Sequence, residues 1–438
     1  MFLTLDRSQS NHRTHRLLYR LVLPVLLWLT VTGCGQGQAP PAGVTDTPTA
    51  APPTEAEPPP PTAATELRQL VFWVPPMTGL ALGDQAGAVL DDAFFQFESA
   101  NPGVNVDVHV KAEFGLAGMP NFLRSAQQVA PSILPDMIII RTQQLWQMVD
   151  LGLIPALADH EMPPGDDFYP FAWQAVTYRN QVYGMALAAD ALVMVHDPTT
   201  GATPRTWDDL LALNRPLLFA GGSGEGPLNL PALTHYLGAG GELREDGTLA
   251  VSAALEAWFG FVATAQAQGL IDPRTLDLIG SEAVWSAYVS QPDGPAFVLT
   301  GDPLNQPTAL NRTELALLPT QSGRPATVVT TWALAVLTSD PEQRRLALEL
   351  AETLLAPEVQ GLWSRLTHRL PSRRGALAAW TSSDGDPLLL QTLAEHATAL
   401  PNGRPFAEFA RRVQQGQLGL LRSEITVADA LQLARAGD

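Results

Sequence analysis

Six aromatic or charged residues lie in or beside predicted strands, where their side chains could contact a bound molecule. An aromatic ring can stack on the apolar face of a ligand, and a carboxylate or guanidinium can pair with its polar groups. For each of them an alternative without ligand contact stays open: packing in the core, a place in a solvated loop or an ion pair with another residue of the chain. The candidate ligand-binding residues are Trp73, Glu113, Arg141, Asp190, Asp302 and Trp332.

The sequence contains no motif that predicts catalysis. Gly221-Gly222-Ser223-Gly224-Glu225 lacks the final glycine of a nucleophile elbow, and no Gly-Lys-Ser/Thr follows to complete a phosphate-binding loop. The histidines beyond residue 34 are scattered, without the spacing of metal ligands. Acidic doublets such as Asp91-Asp92 fit helix surfaces and loops better than a glycosidase carboxylate pair. We therefore expect no catalytic residue, no metal and no cofactor.

Cys34 is the only cysteine among the 438 residues. It follows an arginine-containing segment and the apolar run Leu21–Leu29, and a glycine stands on each side of it. This arrangement is typical of a secretory signal peptide. The apolar run is interrupted by Pro24 and is shorter than the ~20 residues of a transmembrane helix. A single cysteine also excludes a disulfide within the chain.

Val31-Thr32-Gly33-Cys34 resembles a bacterial lipobox. In that class of protein the signal peptide, here residues 1–33, is cut before the cysteine, and the cysteine is acylated. The alternative is a plain signal peptide with an incidental cysteine. Two acyl chains give stable membrane anchoring where one does not, at about 0.8 kcal/mol per buried CH₂. The resemblance therefore implies an exported protein anchored by lipid to the outer face of the cell membrane.

Residues 34–66 are expected to form the lipidated cysteine and a disordered linker. Positions 35–66 hold nine prolines, with Ala and Thr prominent among the rest, and show no apolar periodicity. Fully extended, this linker would reach at most ~100 Å. The formal net charge of −18 argues against nucleic acid as a partner, because binding it needs a basic patch. The remaining length is typical of two domains.

Strands and helices alternate in the first part of the predicted folded body, as judged from apolar spacing. In chain order they are Leu70–Val74, Asp84–Ala100, Val104–Val110, Met119–Val129, Met137–Ile140 and Gln143–Leu151. A strand-helix order repeated three times implies an α/β lobe with a largely parallel sheet.

The second part of the chain has fewer clear strands and more helices. Predicted helices are Val251–Gln268, Arg344–Leu355 and Ile425–Ala436, and a strand is predicted at Val328–Leu337. Capping boxes are expected where Thr206 precedes Asp209 and where Ser339 precedes Glu342. Trp285 falls in a helical stretch and is expected in the core.

Seven segments, in the same order along the chain, resemble those of the sugar-type (family 1) extracellular solute-binding proteins of ABC importers. The clearest are FFQFESANPGVNVDVHV, LPDMIIIRTQQLWQMVDLGLIPALADH, YRNQVYGMALAADALVMVHDP and TPRTWDDLLAL. The chain departs from the family pattern at His196-Asp197, where Tyr-Asn is usual, and at Thr300-Gly301-Asp302-Pro303, where Gly-x-Trp is frequent. These departures leave open which sugar is bound.

The resemblance implies an α/β fold with two lobes, a hinge and a ligand cleft between the lobes, as in periplasmic binding proteins. It puts lobe 1 at residues 67–193 plus about 335–372, and lobe 2 at 194–334 plus about 373–438. It also implies that the chain crosses between the lobes near residues 190–197, 331–337 and 370–374.

The function implied by the resemblance is capture of a solute by lobe closure and its delivery to an ABC-type importer. The solute is expected to be a mono- or oligosaccharide. Expected partners are this ligand, the permease subunits and, through the lipid anchor, the membrane; we expect a monomer. Three alternatives stay open: a binder of a non-sugar solute, a ligand-presenting partner of a sensor, and a membrane-tethered enzyme acting on glycans.

The lipobox predicts the outcome of replacing Cys34 by serine. Cys34→Ser removes the sulfur that would carry the acyl chains, so the protein should stay unacylated and keep residues 1–33. Intact mass and detergent-phase partitioning of the exported protein measure both effects. A variant that is cut before residue 34 like the wild type would contradict the prediction. So would a variant that still enters the detergent phase after its uncleaved residues 1–33 have been removed.

Overall fold

The computed structural model describes residues 67–197, 199, 201–222, 229–250, 252–291, 296–300, 313–380 and 386–435. The predictions for Cys34, for the linker and for Asp302 lie outside these residues. In the described part of the chain, no helix is long and apolar enough to cross a membrane.

Thirteen strands are described, and eleven of them form two larger sheets. Those of the first sheet are β1 (Arg68–Val74), β2 (Val104–Val110), β3 (Met137–Arg141), β6 (Met185–Ala191), β11 (Thr327–Val336), β12 (Leu370–Pro371) and β13 (Ala397–Ala399). Those of the second are β7 (Val193–His196), β8 (Leu217–Leu218), β9 (Phe297–Thr300) and β10 (Glu314–Ala316), while β4 (Thr177–Tyr178) and β5 (Gln181–Val182) pair with each other.

Helices cover both sheets. The helices in the first half of the chain are α1 (Gln85–Ala100), α2 (Met119–Val129), α3 (Thr142–Asp150), α4 (Pro170–Val176), α5 (Trp207–Leu213) and α6 (Leu230–Gly238). Those that follow are α7 (Ser252–Ala267), α8 (Gly280–Ser290), α9 (Pro341–Leu354), α10 (Pro357–Leu366), α11 (Arg374–Leu377), α12 (Pro387–Glu395), α13 (Arg404–Leu421) and α14 (Val427–Arg435). The strands and helices predicted from apolar spacing are confirmed within a few residues at their ends.

The first sheet is mixed, so the prediction of a largely parallel sheet is wrong. Its strand order is β12-β6-β11-β3-β1-β2, with β13 paired to the start of β11. The β1–β2 and β1–β3 pairs are parallel, as expected, but β11 is antiparallel to both β3 and β6. The reason is that β11 returns to this sheet from the second one. It enters at the edge where β6 left and therefore runs in the opposite direction.

Each sheet has a hydrophobic core of its own, as a two-layer packing of helices on a sheet requires. One cluster joins β1, β3, β6 and β11 to helices α1, α4, α9 and α12. The other joins β7, β8 and β9 to α6, α7, α13 and α14. Trp285 packs in a smaller cluster against the second sheet, which confirms its predicted place in the core.

An aromatic stack holds the core of the second sheet. His235 lies face to face with Trp258, with ring centroids 4.1 Å apart, and accepts a hydrogen bond from the Trp207 indole at 3.2 Å. Burial lowers the pKa of His235 to about 3, so the ring is neutral at physiological pH. Trp258 also donates to the Gln417 amide oxygen at 3.0 Å, which ties α7 to α13.

Among the residues that the structure describes, the chain passes between the two sheets at three places, and two of them differ from those implied by the resemblance. The first lies between β6 and β7, near residues 191–193, as expected. Residues 331–337 do not form the second crossing, because β11 pairs with β3 and β6 along this stretch; the passage precedes β11. The third passage follows β13, because α12 and β13 still pack in the hydrophobic cluster of the first sheet, whereas α13 packs in that of the second. The lobe boundaries stay a prediction, and we propose to place them at these three passages.

The two expected helix caps have different outcomes. Thr206 and Asp209 form the predicted capping box at the start of α5. At α9 the predicted box of Ser339 and Glu342 is wrong, because Asp340 is the N-cap. Its carboxylate accepts from the backbone N–H groups of Glu342 at 3.1 Å and Gln343 at 2.9 Å. A carboxylate one residue nearer the helix satisfies two N–H groups that have no partner within the helix.

This cap predicts which of two neighbouring residues stabilises α9. Asp340→Ala should lower the free energy of unfolding by about 1 kcal/mol, the usual cost of losing a cap. Ser339→Ala should change it by less than about 0.5 kcal/mol, as for most surface substitutions. Urea unfolding followed by circular dichroism measures both. A larger loss for Ser339→Ala would contradict this assignment of the cap.

Candidate functional site

A cavity of about 650 Å³ opens between the edges of the two sheets. The first sheet contributes Glu113, Arg141, Asp190, Thr330 and Arg369 to its wall. The volume is typical of a small-molecule site. Three of the six residues predicted from the sequence, Glu113, Arg141 and Asp190, are thus brought together in one cavity. That they bind a ligand stays a prediction.

The topology of the first sheet explains why these side chains meet. Strands β2, β3 and β6 carry their C-terminal ends to the cavity, where Glu113, Arg141 and Asp190 are found. Strand β11 begins there, with Thr330 opposite Asp190 in the register. Arg369 directly precedes β12, which pairs with β6. Ligand sites at the C-terminal ends of strands, where neighbouring connections diverge, are common in α/β folds.

Four charged side chains form an alternating series along this edge, which we call the charge row: Glu113, Arg141, Asp190 and Arg369. Arg141 Nε lies 2.9 Å from Glu113 Oε2, and Arg141 Nη1 lies 3.4 Å from Asp190 Oδ2. Arg369 Nε lies 2.9 Å from Asp190 Oδ1. These side chains are 15–23% exposed, so solvent screens the pairs only in part.

Trp332 lies beneath the charge row and does not line the cavity. Its side chain is 1% exposed. The ring centroid lies 4.1 Å from Arg141 Cζ, and its indole N–H donates to Asp190 Oδ2 at 3.3 Å. The ring therefore supports an arginine by a cation–π contact and a carboxylate by a hydrogen bond. This arrangement favours a supporting role for Trp332 over the ligand stacking expected from its type.

Trp73 is also buried away from the cavity. It packs in a core cluster with Met119 and Ile138, and its side chain is 6% exposed. The amine of Lys111 lies 4.8 Å from the Trp73 ring and 5.3 Å from the Phe122 ring. Of the interpretations that the sequence left open for Trp73, the structure favours the core.

The opposite wall belongs to the second sheet and its helices. Asn229 caps α6 by accepting from the Ala232 N–H at 3.0 Å, and its amide donates to the Ala220 carbonyl at 2.9 Å. Gln414, on α13, donates to the Gly222 carbonyl at 2.6 Å. All of these except Ala232 line the cavity, so this wall is polar and held by backbone contacts.

The remaining parts of the wall are mostly apolar. Phe114 and Ile279 come from opposite sides and are 55% and 44% exposed, while Leu299 of β9 is buried. Glu282, in the first turn of α8, adds a further carboxylate. The cavity thus combines apolar surfaces with a dense set of hydrogen-bonding groups.

Sequence reasoning missed several residues of the wall. Arg369 could have been found, since it is a charged residue directly before a short apolar strand, as Arg141 is directly after one. Gln414 and Asn229 gave no signal, because a polar residue within or before a helix is common on any surface. Their place in the wall depends on how α6 and α13 pack.

The cavity offers donors, acceptors and apolar patches for a non-covalent ligand. In the part of the chain that the structure describes, no three or more His, Cys, Asp or Glu side chains come together as a metal site. The arginines and carboxylates of the charge row are paired with one another. The arrangement therefore suits binding through hydrogen bonds.

Comparison with known proteins gives a family and a fold. Residues 92–387 match the family described as bacterial extracellular solute-binding protein. No match was found among curated protein sequences.

Solved structures match nearly the whole folded part. Maltose-bound T. maritima MalE3 is 17% identical, with a TM-score of 0.64, covering 84% of this chain and 98% of that chain. The sugar-binding protein MalE from Xanthomonas citri is 18% identical, with a TM-score of 0.67 and coverages of 84% and 96%. A Thermotoga lettingae ABC transporter solute-binding protein, bound with α-D-tagatose, is 19% identical, with a TM-score of 0.63 and coverages of 84% and 98%. This likeness confirms the predicted two-lobed α/β fold.

The position of Trp332 predicts an effect on stability that Trp73 should not share. Trp332→Phe removes the hydrogen bond to Asp190, and bonds to charged groups contribute about 1.5–3 kcal/mol. Trp73→Phe removes the same atoms from another buried indole and is the matched control. Urea unfolding should show that Trp332→Phe loses at least about 1 kcal/mol more. Equal losses would contradict the supporting role of Trp332.

Proposed function

Because the chain belongs to the bacterial extracellular solute-binding proteins, we propose that it captures a carbohydrate in the cavity between its two sheets and delivers it to an ABC-type importer. The observation that carries the proposal is the cavity itself. One of its walls is the charge row. The other wall includes the first residues of α6 and α8 and the side-chain amides of Asn229 and Gln414, which donate to backbone carbonyl groups. Sugars need many donors and acceptors close together, together with apolar surfaces for their C–H faces.

The wall of the cavity supports a carbohydrate ligand in particular. Arg141, Asp190 and Glu113 place charged hydrogen-bonding groups along one side, and such bonds are stronger than those between neutral groups. Phe114 supplies an aromatic ring at the same cavity. Proteins of the same fold have been solved with maltose and with α-D-tagatose, which agrees with this ligand class.

Closure of the two lobes on the ligand is the proposed mechanism. Each lobe has its own core cluster, and the two lobes would move relative to each other about the passages of the chain, as in other hinged binding proteins. Glu113 and Glu282 would then approach the ligand from opposite lobes. The ligand favours the closed state only through its higher affinity for that state. The closed form would be recognised by the permease subunits.

We also propose that the protein is held outside the cell membrane by acylated Cys34. The proline-rich linker would let the folded part reach a permease while it stays anchored. A binding role without turnover agrees with the family and with the charge row, whose arginines and carboxylates are already paired.

The proposal is tested by thermal unfolding of the chain from residue 34 onward, carrying Cys34→Ser, against mono- and oligosaccharides. A ligand at ~1,000 times its dissociation constant stabilises the folded state by about 4 kcal/mol. The melting temperature should therefore rise by several degrees with at least one sugar. Arg141→Ala should abolish this rise, because it removes the centre of the charge row.

Arg373→Ala is the matched control for this experiment. Arg373 also pairs with an aspartate at 2.9 Å, Asp167, and is similarly exposed, but it does not line the cavity. It should keep the full sugar-dependent rise. No shift with any sugar, or a shift that survives Arg141→Ala, would contradict the proposed ligand or its site.

A further inference from the structure

We propose that the carboxylates of the charge row, Asp190 above all, make the cavity selective for uncharged ligands and exclude anionic ones such as sugar acids and sugar phosphates. This inference rests on the proposed function for its ligand class. Its physical basis is the hydrogen bonding of Arg141 and the ion pairing of both arginines with carboxylates, which do not depend on which sugar is bound.

An arginine captures a carboxylate or phosphate best with two parallel N–H groups on one side of the guanidinium. Each usable side includes either Nε or Nη1 together with Nη2. In Arg141, Nε is bonded to Glu113 at 2.9 Å, and Nη1 is bonded to Asp190 at 3.4 Å and to Thr330 at 3.3 Å. Neither side of Arg141 therefore keeps two available N–H groups for an anion.

Arg369 is paired with the same carboxylate by charge, without a hydrogen bond from its Nε. Its Nε lies 2.9 Å from Asp190 Oδ1, and its Nη1 donates to the Thr367 carbonyl at 3.2 Å. Asp190 thus accepts a hydrogen bond from Arg141 at Oδ2, which also accepts from the indole of Trp332, and its Oδ1 forms an ion pair with Arg369. A single carboxylate therefore already pairs with both guanidinium charges that could otherwise attract an anion.

The net charge of the cavity also disfavours an anionic ligand. The charge row alternates in sign and sums to zero, and Glu282 adds a negative charge from the second lobe. An anionic ligand would have to leave water for a partly buried site whose described residues offer it no net positive charge. A neutral polyhydroxy ligand has no charge to desolvate. It can still form hydrogen bonds with nitrogen and oxygen atoms of the charge row that have free capacity.

The test creates an anion site by removing Asp190. Asp190→Ala leaves Arg141 and Arg369 without their shared carboxylate, and a small carboxylate should replace it. Melting temperatures of the full chain in detergent are measured in sodium acetate and in sodium chloride at equal ionic strength. Acetate should raise the melting temperature of Asp190→Ala by about 2 °C or more over chloride, and the wild type by less than about 0.5 °C.

Two further variants show whether the paired arginines cause the effect. Asp190→Ala combined with Arg369→Gln should lose most of the response to acetate. Asp167→Ala, which exposes the single Arg373 outside the cavity, should respond as the wild type does. If Asp190→Ala does not fold, Glu113→Ala takes its place, since it exposes Nε of Arg141 and should respond in the same direction.

A separate experiment measures the melting temperature of the wild type with glucuronate, galacturonate and gluconate. None of these should shift its melting temperature more than acetate does. A sugar acid that stabilises the wild type, or an Asp190→Ala protein that folds and ignores acetate, would overturn the inference. Failure of the neutral sugars alone would count against the proposed function and leave the acetate result to stand on its own.

Discussion

The carboxylate of Asp190 accepts contacts from three side chains that belong to three different parts of the chain. Arg141 lies at the end of β3, Trp332 in β11, and Arg369 just before β12. Removing a partner from a partly buried carboxylate destabilises the fold, because the charge is then left without compensation. The position of Asp190 next to the first passage between the sheets means that this dependence acts where the two lobes meet.

The mixed sheet is what makes this cluster possible. If β11 ran parallel to β3, its first residues, Thr330 among them, would lie toward the opposite edge of the sheet, away from Arg141 and Asp190. β11 enters the sheet from the cavity edge and is antiparallel to β3 and β6. Its first residues therefore lie beside the C-terminal ends of these two strands. The polar groups of four neighbouring connections then meet in one place, and the core on either side keeps them there.

Much of the first lobe could be predicted from local patterns. The alternating valines of β2 and the helical spacing in α2 gave ranges that the structure reproduces as Val104–Val110 and Met119–Val129. The direction of β11 could not be predicted, because every residue of this strand is buried and its sequence shows no alternation. For the same reason, the sequence could not tell whether Trp332 faces a ligand or a neighbouring side chain. Charged residues next to strands were the better guide, as Arg141 shows.

The most direct test of this account is a crystal structure of the protein with a sugar that stabilises it. The account predicts a ligand in the cavity between the two sheets, with hydroxyl groups about 2.7–3.2 Å from polar atoms of Arg141 or Glu113. Trp332 should remain buried against Arg141 without touching the sugar. A ligand stacked on Trp332 or Trp73, or bound outside this cavity, would contradict it.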